Sequence, residues 1–142
     1  MRTLAIDLGA RRTGLALSDA GGKLATPYDV LQGPAFERII EIIDEEDVQR
    51  IVVGLPLNMD GTRGPAAEQA IEFGQQLATR AQKKVIYVDE RLSSFQAEQE
   101  VTARRRGGEK ITRKAKKQRL DAIAAAQFLQ EFLDSKLAAI DP

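Results

Sequence analysis

The chain has 142 residues, 43% of them hydrophobic and 30% charged, with neither cysteine nor histidine. That is enough for a single soluble domain with its own core, and it excludes disulfides, zinc sites on Cys or His, thiol nucleophiles and any triad that needs a histidine base. The net charge of zero conceals an asymmetry: nine basic residues against one acid, Glu109, fall between Arg104 and Arg119. That segment carries about +8 and the rest about −8, and so dense a stripe points to a polyanionic partner.

The opening stretch, MRTLAIDLG, carries one Arg and a short apolar run, and reads as a strand over Thr3–Leu8, not as a signal peptide. No apolar run approaches the ~20 residues of a membrane span, so a cytoplasmic protein with no membrane partner is expected. Arg12–Ser18 and Lys23–Leu31 are two further strand-like runs separated by the turn Asp19-Ala-Gly-Gly, which predicts an antiparallel meander. After Pro34, the stretch Ala35–Glu46 sets Phe36, Ile39, Ile40 and Ile43 on one helical face. Arg50-Ile-Val-Val-Gly is short and β-branched, as a buried parallel strand should be. The loop LPLNMDGTRG leads to a helix from Pro65 to about Gln82, with Pro at its first position. Lys84–Asp89 predicts another buried strand. Ser93 and Gln96 form a capping-box pattern for a third helix ending near Gly107-Gly108. A last helix, Ala-rich at its centre, is expected from about Arg113 to Leu137. The order β-β-β-α-β-α-β-α-α shows no internal repeat and no linker, so residues 1–142 are read as one domain. Its basic, Gly-containing segment at about 104–112 is expected to be mobile until a partner orders it.

A few acids stand in apolar surroundings. Alternation along the first strand places Asp7 with Ala5, opposite Leu4, Ile6 and Leu8. A half-buried carboxylate there is costly, and a cation would remove that cost; the alternative is a strand-end acid bonded to backbone N–H groups of the turn at Gly9. Asp89 and Glu90 close a parallel strand at the end where α/β folds place their sites. They point to opposite faces, so one is expected to join Asp7 while the other pairs with Arg91. Asp121 shares a helical stripe with Ala125 and Phe128, which turns it toward the sheet; pairing with Lys117 would instead leave it on the exposed side.

Acids from strands and a helix, without His or Cys, suit Mg²⁺ or Mn²⁺. Two such ions roughly 4 Å apart can clamp an in-line phosphoryl displacement without a protein base. The basic segment, with Arg104, Arg105, Arg106, Lys110, Lys114 and Lys117, directly precedes Asp121 and would hold a phosphate backbone while the scissile bond reaches the acids. The loop from Asn58 to Gly64, ahead of a helix N-terminus, is read as a further phosphate contact through backbone amides and Arg63.

Four ordered stretches, IDLGARRTGLALSD at 6–19, VVGLPLNMDGTRG at 52–64, VDERLSSFQAE at 88–98 and KKQRLDAIAAAQFLQEFL at 116–133, resemble the YqgF/RuvX family of RNase H-like nucleases over nearly the whole chain. The resemblance implies an α/β, RNase H-like fold: a five-stranded mixed sheet, order 3-2-1-4-5, with helices on both faces. It implies Asp7, Glu90 and Asp121 as the catalytic, metal-binding acids; Arg11, Arg12, Asn58, Arg63, Arg91 and the basic segment are read beside them as substrate contacts. Where many relatives have Lys-Arg this chain has Arg11-Arg12, which keeps the charge. Ser93-Ser94 stand where Thr pairs are frequent, and either type caps a helix.

Members of the family are linked to maturation of the 5′ end of pre-16S ribosomal RNA and to resolution of four-way DNA junctions. Nothing in these residues separates structured RNA from branched DNA. Resolution of a junction implies a two-fold homodimer; single-site RNA processing does not. Asp-Leu-Gly-x-x-x-x-Gly at 7–14 also looks like the first phosphate motif of actin-like ATPases, but those close two such domains around nucleotide, and no P-loop is present. A non-catalytic nucleic-acid or ribosome-binding module is the remaining alternative, since fold does not fix function.

Overall fold

Thr3–Asp7 (β1), Arg12–Ser18 (β2) and Ala25–Gln32 (β3) form the expected antiparallel meander. The turn between β2 and β3 is tied by Asp19, whose Oδ1 accepts the backbone N–H groups of Lys23 and Leu24. The computed structural model describes the backbone of residues 1–92 and 113–142 and the side chains of 1–91 and 120–142. The predicted third helix and Arg104, Arg105, Arg106 and Lys110 lie outside the described residues, as do the side chains of Lys114 and Lys117.

Phe36–Glu45 (α1) precedes Arg50–Leu55 (β4), which runs parallel to β1. Pro65–Ala81 (α2) crosses over to Lys84–Asp89 (β5), parallel to β4. A 3₁₀ turn, Glu90–Leu92, follows, and Arg113–Leu133 (α3) is the last helix. The sheet order is β3-β2-β1-β4-β5-β6, so the expected five-strand order holds and gains a sixth member. That strand, Ala139–Ile140 (β6), pairs antiparallel with β5, and the last helix ends short of the Leu137 that its periodicity predicts. The helix stops because the N–H of Ser135 bonds to Phe132 O and that of Lys136 to Glu131 O, a Schellman ending with Ser135 in the left-handed region at φ 61°. Gly usually marks such a stop; a serine hides it.

The two faces of the sheet are packed differently. Leu4, Ile6, Leu15, Ile51, Val53 and Tyr87 meet α1 and α2 in a core of large side chains. Helix α1 contributes Ile39, Ile42 and Ile43; Ile42, outside the expected stripe, is fully buried, while Phe36 and Ile40 are only partly so. On the other face Ala5, Ala16, Val52 and Val88 meet Ala125, Ala126, Phe128 and Leu129 of α3. Small residues on both sides bring α3 close to the sheet, and at Gly14 the approach is closest: a Cβ there would overlap the backbone carbonyl of Asp121. The contact sets the height of the helix over the sheet.

Gly14→Ala should therefore destabilise the protein by about 1–3 kcal/mol, the usual cost of forcing a methyl into a packed interface. Denaturant unfolding checks this; unchanged stability would mean that α3 is not seated on β2 at this point.

Candidate active site

Asp7 ends β1 on the α3 face, as the alternation requires. Its neighbours on both sides are glycines. Gly14 of β2 pairs with it directly, and Gly54 of β4 follows Val53, the partner of Ile6. A Cβ on Gly54 would stand 3.0 Å from the Phe128 ring and 3.4 Å from a Glu90 carboxylate oxygen. The bare backbone at Gly54 is thus what lets Glu90, at the end of β5, reach across β4 to Asp7. Sequence reasoning missed both glycines as parts of a site. A signal for them exists, since a glycine inside a strand often marks a close approach of other groups.

The carboxyls of Asp7 and Glu90 are in hydrogen-bonding contact, and Asp121 is near enough for its charge to act on both. Burial raises the Asp7 pKa from its ordinary 3.8 to about 6, with the charge of Asp121 adding and the Glu90 hydrogen bond opposing. Burial also raises Glu90 well above its ordinary value, reinforced by the charge and hydrogen bond of Asp7. The hydrogen bond between them lowers Asp7 and raises Glu90, which makes Glu90 the better holder of a proton. Parity separates Asp89: it is buried on the opposite face, and the Arg91 guanidinium beside it holds its carboxyl below the usual range.

Asp121 faces the sheet, but Arg12 holds it. The Arg12 Nε donates to Asp121 Oδ2 at 2.8 Å, so this acid stands beside the pair and not within it. Among the described residues, no three acids converge as placed tightly enough to hold one ion. Sequence reasoning takes Arg12 for a substrate contact and misses this bond, which joins residues 109 positions apart.

Arg11 is exposed, and its carbonyl accepts the Gly33 N–H at 2.7 Å. The Asn58 amide donates to Thr62 Oγ1, and Arg63 lies 3.9 Å from Glu68. Arg91 is engaged on every side: Nε and Nη2 bind Asp89, and Nη1 donates to the carbonyls of Asn58 and Met59. It therefore ties the 58–64 loop to the end of β5.

The raised carboxyls have a sign for stability. The unfolded chain releases the Asp7 proton near 3.8 and the native chain near 6, so metal-free protein loses stability as pH rises through that window. Asp7→Asn should remove this loss. In excess chelator its melting temperature should exceed that of the unsubstituted chain at pH 7.5, and the gap should close by about pH 4. Thermal melts across pH check it; parallel curves would mean that the carboxylate is not desolvated.

The model of the RuvX family, described as a Holliday junction resolvase, matches residues 1–135. A Bacillus thuringiensis (strain Al Hakam) protein and a Bacillus anthracis (strain CDC 684 / NRRL 3495) protein, both named "Putative pre-16S rRNA nuclease", are each 39% identical to this chain over 142 residues, covering 96% of it and 100% of each relative. Among solved structures, Thermus thermophilus RuvC in complex with Holliday junction substrate gives a TM-score of 0.60 at 19% identity, covering 96% of this chain and 95% of that one. The fowlpox virus Holliday junction resolvase gives 0.54 at 14% identity, covering 95% and 99%. These two likenesses are of fold, and they make the sheet RNase H-like. With a family model that runs from the first strand to the end of the last helix, and relatives aligned over their full length, the chain belongs to the RuvX family of nucleases.

Proposed function

We propose that this protein is a divalent-metal-dependent endonuclease that hydrolyses phosphodiester bonds in structured nucleic acid, and that its task is 5′-end processing of pre-16S rRNA. The observation that carries the reading is the desolvated Asp7–Glu90 pair at the strand ends. Two carboxylates pressed together away from water need a proton or a cation, and an all-oxygen donor set suits Mg²⁺ or Mn²⁺. Asp7 and Glu90 would hold the ion, with Asp121 joining them once Arg12 lets go. When bound, the metal supplies charge to the scissile phosphate and lowers the pKa of water. The chain's own part is to keep the acids at fixed positions, through β1, β5 and α3, and to shield them on the α3 face with Phe128.

The substrate assignment draws on the names of the 39% identical Bacillus proteins. Arg11 and Arg63 are exposed and, with the basic residues between Arg104 and Lys117, would grip the phosphate backbone. A second reading, resolution of four-way DNA junctions, is favoured by the description of the family model and requires a two-fold dimer. Among the described residues no helix is long and apolar enough to cross a membrane, and action in the cytoplasm is part of the proposal.

Cleavage of a precursor-rRNA transcript or a four-way junction should need Mg²⁺ or Mn²⁺ and stop in excess EDTA. Asp7→Asn, Glu90→Gln and Asp121→Asn should each abolish it, while Asp89→Asn should retain more activity than Glu90→Gln. Cleavage in chelator, or by all three acid variants, would reject the site; intact binding with no cleavage under any metal would favour the non-catalytic module.

Replacing Arg104, Arg105, Arg106 and Lys110 with Ala should weaken binding to all sequences alike. Each lost phosphate contact should also remove about 0.7–0.9 from the log–log salt slope. An unchanged affinity and slope would show those charges to be a solvated surface.

A further inference from the structure

The connection between β4 and α2 is tied together more thoroughly than a link between two elements needs. The Asn58 N–H donates to Thr62 O at 2.9 Å, and the Gly61 N–H to Asn58 O at 2.8 Å. The Asp60 carboxylate accepts both the backbone N–H and the hydroxyl of Thr62, at 3.0 and 2.6 Å. Gly61 takes the left-handed turn at φ 85° that a side chain would resist. From outside, Arg91 Nη1 clasps the carbonyls of Asn58 and Met59 at 2.7 and 2.9 Å, while the rest of its guanidinium is held by Asp89. The tip of the loop is thereby fastened to the residue next to Glu90.

What this polar framework displays is apolar. The Met59 side chain is 99% exposed. A single exposed hydrophobe on a surface is ordinary. Here the residue's own carbonyl is anchored by Arg91, the chain neighbour of Glu90, so the backbone that carries the side chain is held in place.

We propose that Met59 is a wedge: its side chain enters an opened base step of the nucleic-acid substrate, at a branch or bulge, and so selects distorted over continuous duplex. Apolar side chains, methionine among them, kink nucleic acid by inserting between base steps. The unbranched, polarizable thioether adapts to an irregular gap. Opening a stacked step costs free energy, and the cost is least where stacking is already interrupted, so the wedge discriminates by shape without reading sequence. Arg63, exposed on the same loop, would take a flanking phosphate. The inference rests on the nuclease reading above and names what that site would recognise.

The test uses the full chain carrying Asp7→Asn, so that substrate is bound without being cut. One arm takes a four-way DNA junction with 2-aminopurine at the branch, the other an RNA hairpin with 2-aminopurine opposite a bulge; continuous duplexes of the same composition are the references. Binding should change the 2-aminopurine fluorescence and favour the distorted substrate. Met59→Gln should reduce that preference by roughly ten- to a hundredfold, the value of burying one methionine side chain, and abolish the fluorescence change. Met59→Leu should keep both. An effect in one arm alone supports the wedge and identifies its nucleic acid. Equal preference and equal fluorescence in Met59→Gln would overturn the wedge and leave the nuclease reading standing; failure of the unsubstituted chain to bind or cut any nucleic acid would remove both.

Discussion

The height at which α3 sits over the sheet governs the rest of the site. Gly14 admits the backbone of Asp121, and Gly54 leaves room for the edge of Phe128. Ala5, Ala16, Ala125 and Ala126 keep the intervening layer thin. Interiors pack at crystal-like density, so a methyl group at either glycine must displace something. The same close contact that seats the helix also excludes water from the strand ends, and that exclusion raises the carboxyls of Asp7 and Glu90. Packing and electrostatics are here one constraint.

Four acids lie near the ends of β1 and β5, Asp89 on the opposite face from the others, and arginines divide them. Asp89 is held by Arg91 and Asp121 by Arg12, each through a guanidinium with donors in a fixed fork. Among the described residues no cation pairs with Asp7 or Glu90; they have each other. A buried like-charge pair works against folding and persists only where the surrounding structure holds it. The pair is therefore the part of the molecule most poised to take up positive charge. The Arg12–Asp121 bond keeps a further acid at the rim, from where its charge still adds to the repulsion on Asp7 and Glu90.

Arg91 shows how one side chain can be misjudged from sequence. A basic residue beside an acid motif reads as a phosphate contact. In the folded chain its donors are spent on Asp89 and on two loop carbonyls, so its visible work is to fasten the 58–64 loop. What reaches toward solvent at that place is Met59, a residue with no charge to attract notice.

Period and parity are legible in the order of the amino acids alone. Alternation around Asp7, the opposite facing of Asp89 and Glu90, and the stripe through Asp121, Ala125 and Phe128 follow from local geometry, where each side chain's direction is dictated by its own backbone. The meander, the parallel strands and the helices at 36–45 and 65–81 follow from the same local rules. Other features depend on contacts between residues far apart in the chain. Gly54 matters because Glu90 must cross β4; Arg12 matters because Asp121, 109 positions on, arrives beside it. The sixth strand exists because Ser135 turns the chain back along β5. Sequence by itself determined which faces the acids would occupy, since that is a property of the backbone period. Only the tertiary structure decided which of those acids would be neutralised and which left bare, since that depends on which side chains the packed helix and sheet bring within a few ångströms of each other.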